Sequence, residues 1–244
     1  MPMLLLEKHS MLDSIVDEAL RRSTHMLSAT LSLPHNRPTW RGRLHTWAFL
    51  CSLPAGVALL LHSHPAAART AAAIYAVSVA ALFGTSASYH RLAKSPAARR
   101  VMRRLDHSMI YVLIAGTYTP LCLLVLPRVW GIPLLSVIWT AAVVGIVLNV
   151  FALERFAVVS SVLYLAMGWA ALIALPVMAS RLEHVSLGLL IVGGLLYTVG
   201  AVVFLRKRPD PSPMIFGFHE VWHACTVVAG ASHFAMVWMV ATHA

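Results

Sequence analysis

Two histidines four residues apart, His219 and His223, stand where an apolar run begins near the carboxyl end of the chain. On a helix that spacing puts both imidazoles on one face about one turn apart, within reach of a single ion. A pair so placed at the mouth of an apolar helix has few purely structural uses. A third histidine, His90, ends another apolar run far upstream. Alone, beside Arg91, it reads as an interfacial polar residue; joined to the pair it completes three imidazoles with a fourth position open for water, the arrangement of a catalytic zinc. Imidazole also suits Cu, Fe or Ni, so Zn2+ is a further inference from the ligand set. Asp106 opens a third apolar run. Its carboxylate either caps that helix and favours its dipole, or hydrogen-bonds water in the open position, whose pKa a metal draws toward ~7. Ser86 lies four residues before His90 and so faces the same cavity, where its hydroxyl can meet substrate or water.

Other ionisable residues at apolar positions read differently. His107 is the neighbour of a site residue rather than a ligand. His233 lies fourteen residues after His219, which is ~20 Å along a helix. It cannot join the cluster and reads as a satisfied core histidine, or else as the polar lining of an internal cavity. Cys51, Cys122 and Cys225 show no CxxC spacing and read as small core residues.

The elements that must hold these groups are membrane helices. Of 244 residues, 59% are hydrophobic and 11% charged, against ~45–50% and ~25% in soluble domains. Seven nearly uncharged runs, about 44–61, 70–89, 107–126, 132–153, 156–178, 185–205 and 218–240, approach the ~20 residues that cross a bilayer. Backbone groups in lipid must pair within their own segment, so the runs predict helices. Pro54, Pro120 and Pro176 fall inside them and predict kinks. The fold class expected is an all-α integral membrane protein, a seven-transmembrane helix bundle over 41–244, preceded by a polar segment 1–40. Leu12, Ile15, Val16, Ala19 and Leu20 against Asp13, Asp17, Arg21 and Arg22 make that segment either an amphipathic cytoplasmic surface helix or a poorly ordered tail.

The net charge of +10 raises nucleic acid as a partner, but the cations flank spans and so argue for a lipid bilayer instead. Placing the amino terminus in the cytoplasm leaves only Arg69, Arg128 and Arg181 of the nineteen Lys and Arg residues outside. That asymmetry predicts N-in and C-out, and with it a bacterial inner-membrane, multi-pass protein. His90, Asp106, His219 and His223 then share the cytoplasmic end of the bundle.

The segments Ser86-Ala-Ser-Tyr-His90, Leu105-Asp106-His107, Ala115-Gly-Thr-Tyr-Thr-Pro120 and Gly217-Phe-His219-Glu-Val-Trp-His223 resemble the hemolysin III branch of the progestin and adipoQ receptor (PAQR) superfamily, itself distantly similar to alkaline ceramidases. The resemblance spans about residues 40–242. It implies zinc held by His90, His219 and His223, Asp106 bonding the metal-bound water, and Ser86 in the adjoining shell. It also implies hydrolysis of an amide or ester of a membrane lipid. One departure stands out. Members carry E-x2-N-x3-H in the first span, whereas ahead of His45 this chain has Pro38 and Arg41.

Two other functions compete with a zinc-dependent lipid hydrolase. A channel, cytolytic pore or sensor would use zinc structurally to close the bundle, and a channel would show a polar stripe through the midplane. An intramembrane protease would use His219-Glu-Val-Trp-His223 as H-E-x-x-H with Glu220 as general base, but no acidic residue follows Glu220 to supply a third ligand.

Overall fold

Runs of about twenty apolar residues become helices because hydrocarbon offers backbone N–H and C=O groups no partner but one another. The computed structural model describes residues 38–153, 155 and 157–243, so the reading of the amino-terminal segment lies outside the described residues. The helices are α1 (Arg43–His62), α2 (Ala66–Arg91), α3 (Pro96–Pro120), α4 (Arg128–Ala152), α5 (Ala157–Trp169), α6 (Ala171–Ala179), α7 (His184–Arg206) and α8 (Phe218–Thr242). With α5 and α6 forming one span, seven spans among the described residues are long and apolar enough to cross a membrane. Trp47, Val57, Leu61, Val77, Val129 and Phe151 point outward, exposed. A water-soluble protein would not carry so wide an apolar belt.

Consecutive spans pack side by side, and α8 closes the ring by packing on α7 and α1 while also touching α2 and α3. The α3 span is the central one: 67% of its apolar window is buried against other helices, compared with 17% for α1 and α7. The carboxyl end of α2 and the amino end of α8 therefore meet beside α3.

The helix α3 begins well before its apolar window. The Ser95 hydroxyl accepts from the Ala98 N–H at 3.1 Å and Pro96 occupies the first turn, a strong start signal. Arg99, Arg100, Arg103 and Arg104 thus lie on the helix, and Arg104 reaches across to donate to the Val150 carbonyl at 3.0 Å. This corrects one expectation. Asp106 does not cap α3; it sits in the third turn, and Ser95 is the cap.

Prolines mark the irregular points. Pro120 ends α3, and Leu121–Val125 continues as a π-helical turn closed by a Leu126 N–H to Leu121 carbonyl bond of 3.0 Å. The span containing Pro176 is interrupted at Ala170, ahead of the proline, whose missing N–H and ring loosen the preceding turns.

A second polar group is buried between α3, α4 and α5. The Asn149 amide donates to the Tyr164 hydroxyl at 2.9 Å, Ser160 donates to the Asn149 amide oxygen at 2.8 Å, Tyr164 donates to the His107 carbonyl at 3.1 Å, and Tyr111 donates to the Ser160 carbonyl at 3.3 Å.

Candidate metal centre

His90 occupies the last turn of α2, and His219 and His223 occupy the first two turns of α8. The structure brings the three rings together. Centroids lie 4.9 Å apart for His90–His219, 5.0 Å for His90–His223 and 4.5 Å for His219–His223. One nitrogen from each lies within 4.8 Å of the other two, His90 and His223 being buried and His219 half-buried. The Nε2 atoms of His90 and His219 are 3.3 Å apart. Tetrahedral ligation with metal–nitrogen bonds of ~2.0–2.1 Å places neighbouring nitrogens ~3.3 Å apart, so the donor set fits such an ion. A hydrogen bond between His90 and His219 uses two of the rings; a cation uses all three. The cluster can therefore hold a metal ion.

Local structure fixes each ring. Gly42, in the left-handed region at φ 76°, precedes α1 and lies flat against α2, where an added Cβ would stand 2.7 Å from the His90 Cβ. Only glycine meets both conditions without strain. At the start of α8, the Phe218 N–H donates to Asp210 Oδ1 at 2.8 Å and the Gly217 N–H to Glu220 Oε2 at 2.9 Å, pairing two of the helix's orphan donors. The other Glu220 oxygen accepts from Arg41 Nε at 2.5 Å. Thr39 and Trp40 extend this tie, their N–H groups donating to the Met214 and Ile215 carbonyls. Phe204 of α7 packs its ring against His219 at 5.4 Å.

Asp106 lies outside the set of mutually close ligand atoms. Its carboxylate lies beside the hydroxyl of Ser86, one turn before His90 on α2. His107 points elsewhere, its Nδ1 2.9 Å from the Arg103 carbonyl. His233 is buried with Nε2 3.2 Å from the Leu190 carbonyl, a satisfied core histidine. Glu220, the base of the protease reading, has both carboxylate oxygens engaged by Arg41 and Gly217. The cysteines are free thiols: Cys51 exposed, Cys225 half-buried and Cys122 buried.

The sequence candidates omit one group at this centre. His45, in the first turn of α1, is buried and stacks on His223 with centroids 3.8 Å apart and planes 7° from parallel. Its signal was an ionisable residue just inside an apolar run at the same end of the bundle as the other histidines. Arg41, standing where members of the resembled family carry Asn, is the partner of Glu220.

These features define an all-helical, multi-pass membrane protein with a buried three-histidine cluster competent to bind a metal. The chain belongs to the haemolysin-III related family, whose profile matches residues 33–234. It is 35% identical over 196 residues to Hemolysin-3 of Bacillus cereus, covering 79% of this chain and 86% of that protein. To the Hemolysin-3 homolog of Bacillus subtilis (strain 168) it is 35% identical over 164 residues, 67% and 74% of the two chains. The monocyte to macrophage differentiation factor of Homo sapiens is 32% identical over 205 residues, 80% and 81% of the two.

Proposed function

We propose that this protein is a zinc-dependent hydrolase of a membrane lipid amide or ester, its centre lying just beneath the cytoplasmic leaflet of a bacterial inner membrane. The orientation rests on the Lys and Arg asymmetry, N-in and C-out. The carrying observation is the three-imidazole cluster itself, where the last turn of α2 meets the first turns of α8. His90, His219 and His223 would hold the ion. When bound, zinc supplies Lewis acidity toward a carbonyl and toward water in the open position. The Asp106 carboxylate takes the proton of the attacking water and returns it to the leaving amine or alcohol. Ser86, beside that carboxylate, orients it for the transfer.

The name Hemolysin-3 borne by two relatives favours a second reading, membrane lysis through a pore. The polar groups within the spans support it poorly. Asn149, Ser160 and Tyr164 bond one another, and His233 bonds the Leu190 carbonyl, so they form no stripe facing a channel.

Metal content of the purified full-length protein tests the proposal. Wild type should carry about one zinc per chain, and H219A/H223A about a tenth of that or less. Asp106→Ala should keep its zinc while turnover of a ceramide or phospholipid substrate falls ~10²–10⁴-fold. Zinc at equal level in wild type and the double variant sinks the site; undiminished turnover in Asp106→Ala sinks the catalytic role.

A further inference from the structure

Both ring nitrogens of His45, Nδ1 and Nε2, are buried without a hydrogen-bond partner among the described residues. Such groups are rare in folded proteins because burial removes water and leaves nothing in exchange. The His223 backbone lies nearby but outside hydrogen-bond geometry. The ring stacks on the face of His223 and meets the edge-on ring of Phe83 at 5.1 Å and 65°. Packing of this kind fixes orientation and spends neither nitrogen.

His45 is not a fourth ligand to the same ion. An imidazole binds a cation through a lone pair in its own ring plane, and the planes of His45 and His223 are nearly parallel with centroids 3.8 Å apart. An ion lying in the plane of His223 is displaced from the plane of His45 by almost that separation. His45 is correspondingly absent from the set of mutually close ligand atoms. What the arrangement does offer is an imidazole one ring-thickness from a ligand, with both ring nitrogens unspent.

We infer that His45 is a ligand-orienting residue of this centre, hydrogen-bonding the carbonyl-bearing head group of whatever molecule occupies the position left open by His90, His219 and His223. The chemical class is a compact head with a carbonyl oxygen and an adjacent N–H or O–H, as in an amide or carboxylic acid. The inference rests on the metal reading above, and its test separates the two.

Full-length protein in detergent is loaded with Co2+, and acetohydroxamic acid, a small carbonyl-bearing metal ligand, is titrated while the visible cobalt spectrum is followed. His45→Phe keeps a ring for the stack but removes both nitrogens; His45→Leu serves if the larger ring cannot be housed. The expected result is equal cobalt in wild type and variant, with the probe's dissociation constant raised about tenfold or more. His45→Gln, which restores a donor and an acceptor, should lie within about threefold of wild type. Unchanged probe affinity in His45→Phe at equal cobalt overturns the inference and leaves the metal site standing. Cobalt lost from the His45 variants, or a Gln variant as weak as Phe, assigns His45 to ligation or to shape and also overturns it. A wild-type protein that takes up no cobalt overturns the metal reading and this inference together.

Discussion

Two polar clusters are buried in this bundle, and they differ in closure. In the one between α3, α4 and α5, Asn149, Ser160, Tyr164 and Tyr111 exchange hydrogen bonds with one another and with the His107 and Ser160 carbonyls. In the one at the meeting of α1, α2 and α8, four imidazoles gather, with the Nε2 atoms of His90 and His219 3.3 Å apart, His45 stacked on His223, and both His45 nitrogens without a partner among the described residues. Burying polar atoms among membrane helices is costly in both places. The first cluster offsets that cost internally and ties three helices together. The second leaves the His45 nitrogens without a partner among the described residues, and buried polar atoms so placed beside three convergent ligands are the mark of a site that something else completes.

The largest effect on stability and zinc affinity expected outside the ligands comes from Arg41→Ala. Among the described residues it leaves the Glu220 carboxylate, 1% exposed, with the Gly217 N–H as its remaining partner. Removing one member of a buried ion pair costs ~3 kcal/mol or more; the 22% exposure of Arg41 moderates this to about 2 kcal/mol. Because Glu220 lies between His219 and His223, zinc affinity should also fall about tenfold. Thermal unfolding in detergent and a competitive zinc titration measure the two effects, and an affinity equal to wild type would show that the pair does not position the ligands. Asn149→Leu should act on the other cluster alone. It removes the amide that bonds Tyr164 and Ser160, costing about 1 kcal/mol at the modest worth of interhelical hydrogen bonds in membranes. Its zinc content should match wild type. Zinc lost from Asn149→Leu would mean that the two clusters are not independent.

The sequence made the spans legible because hydropathy reports directly on what lipid demands of each segment. The i, i+4 pair was legible for a similar reason, since one helix fixes the relation of His219 to His223. The start of α3 was not, because an apolar window records where lipid begins rather than where the helix does. Ser95 and Pro96 start the helix three turns earlier, and the arginines of those turns reach away from lipid, so Asp106 looked like a cap while lying mid-helix. His45 and Arg41 were obscured for a different reason. Their roles depend on α1 and the segment before it packing against α8, from which Arg41 is separated by 179 residues, and no local pattern encodes that contact. Glu220 shows the same ambiguity in reverse. His-Glu-x-x-His is the spacing of a metalloprotease helix, and it is also the spacing of two ligands around a helix-start carboxylate that bonds Gly217 and Arg41.

The smallest effect is the most discriminating, because it compares one residue type on one helix. His223 and His233 both lie on α8 and are similarly buried, at 3% and 8% exposure. What separates them is the partner: His233 bonds the Leu190 carbonyl of α7 and fills the space over Gly193, where an added Cβ would stand 2.3 Å from its ring. His233→Leu should therefore cost only about 0.5 kcal/mol, the typical worth of one such bond between membrane helices. It should leave zinc content and lipid turnover at wild-type levels. If zinc or turnover fell with His233→Leu as they do with the ligand variants, burial of a histidine in α8 would be the operative property. The contrast between a closed and an open set of imidazoles would then lose its force.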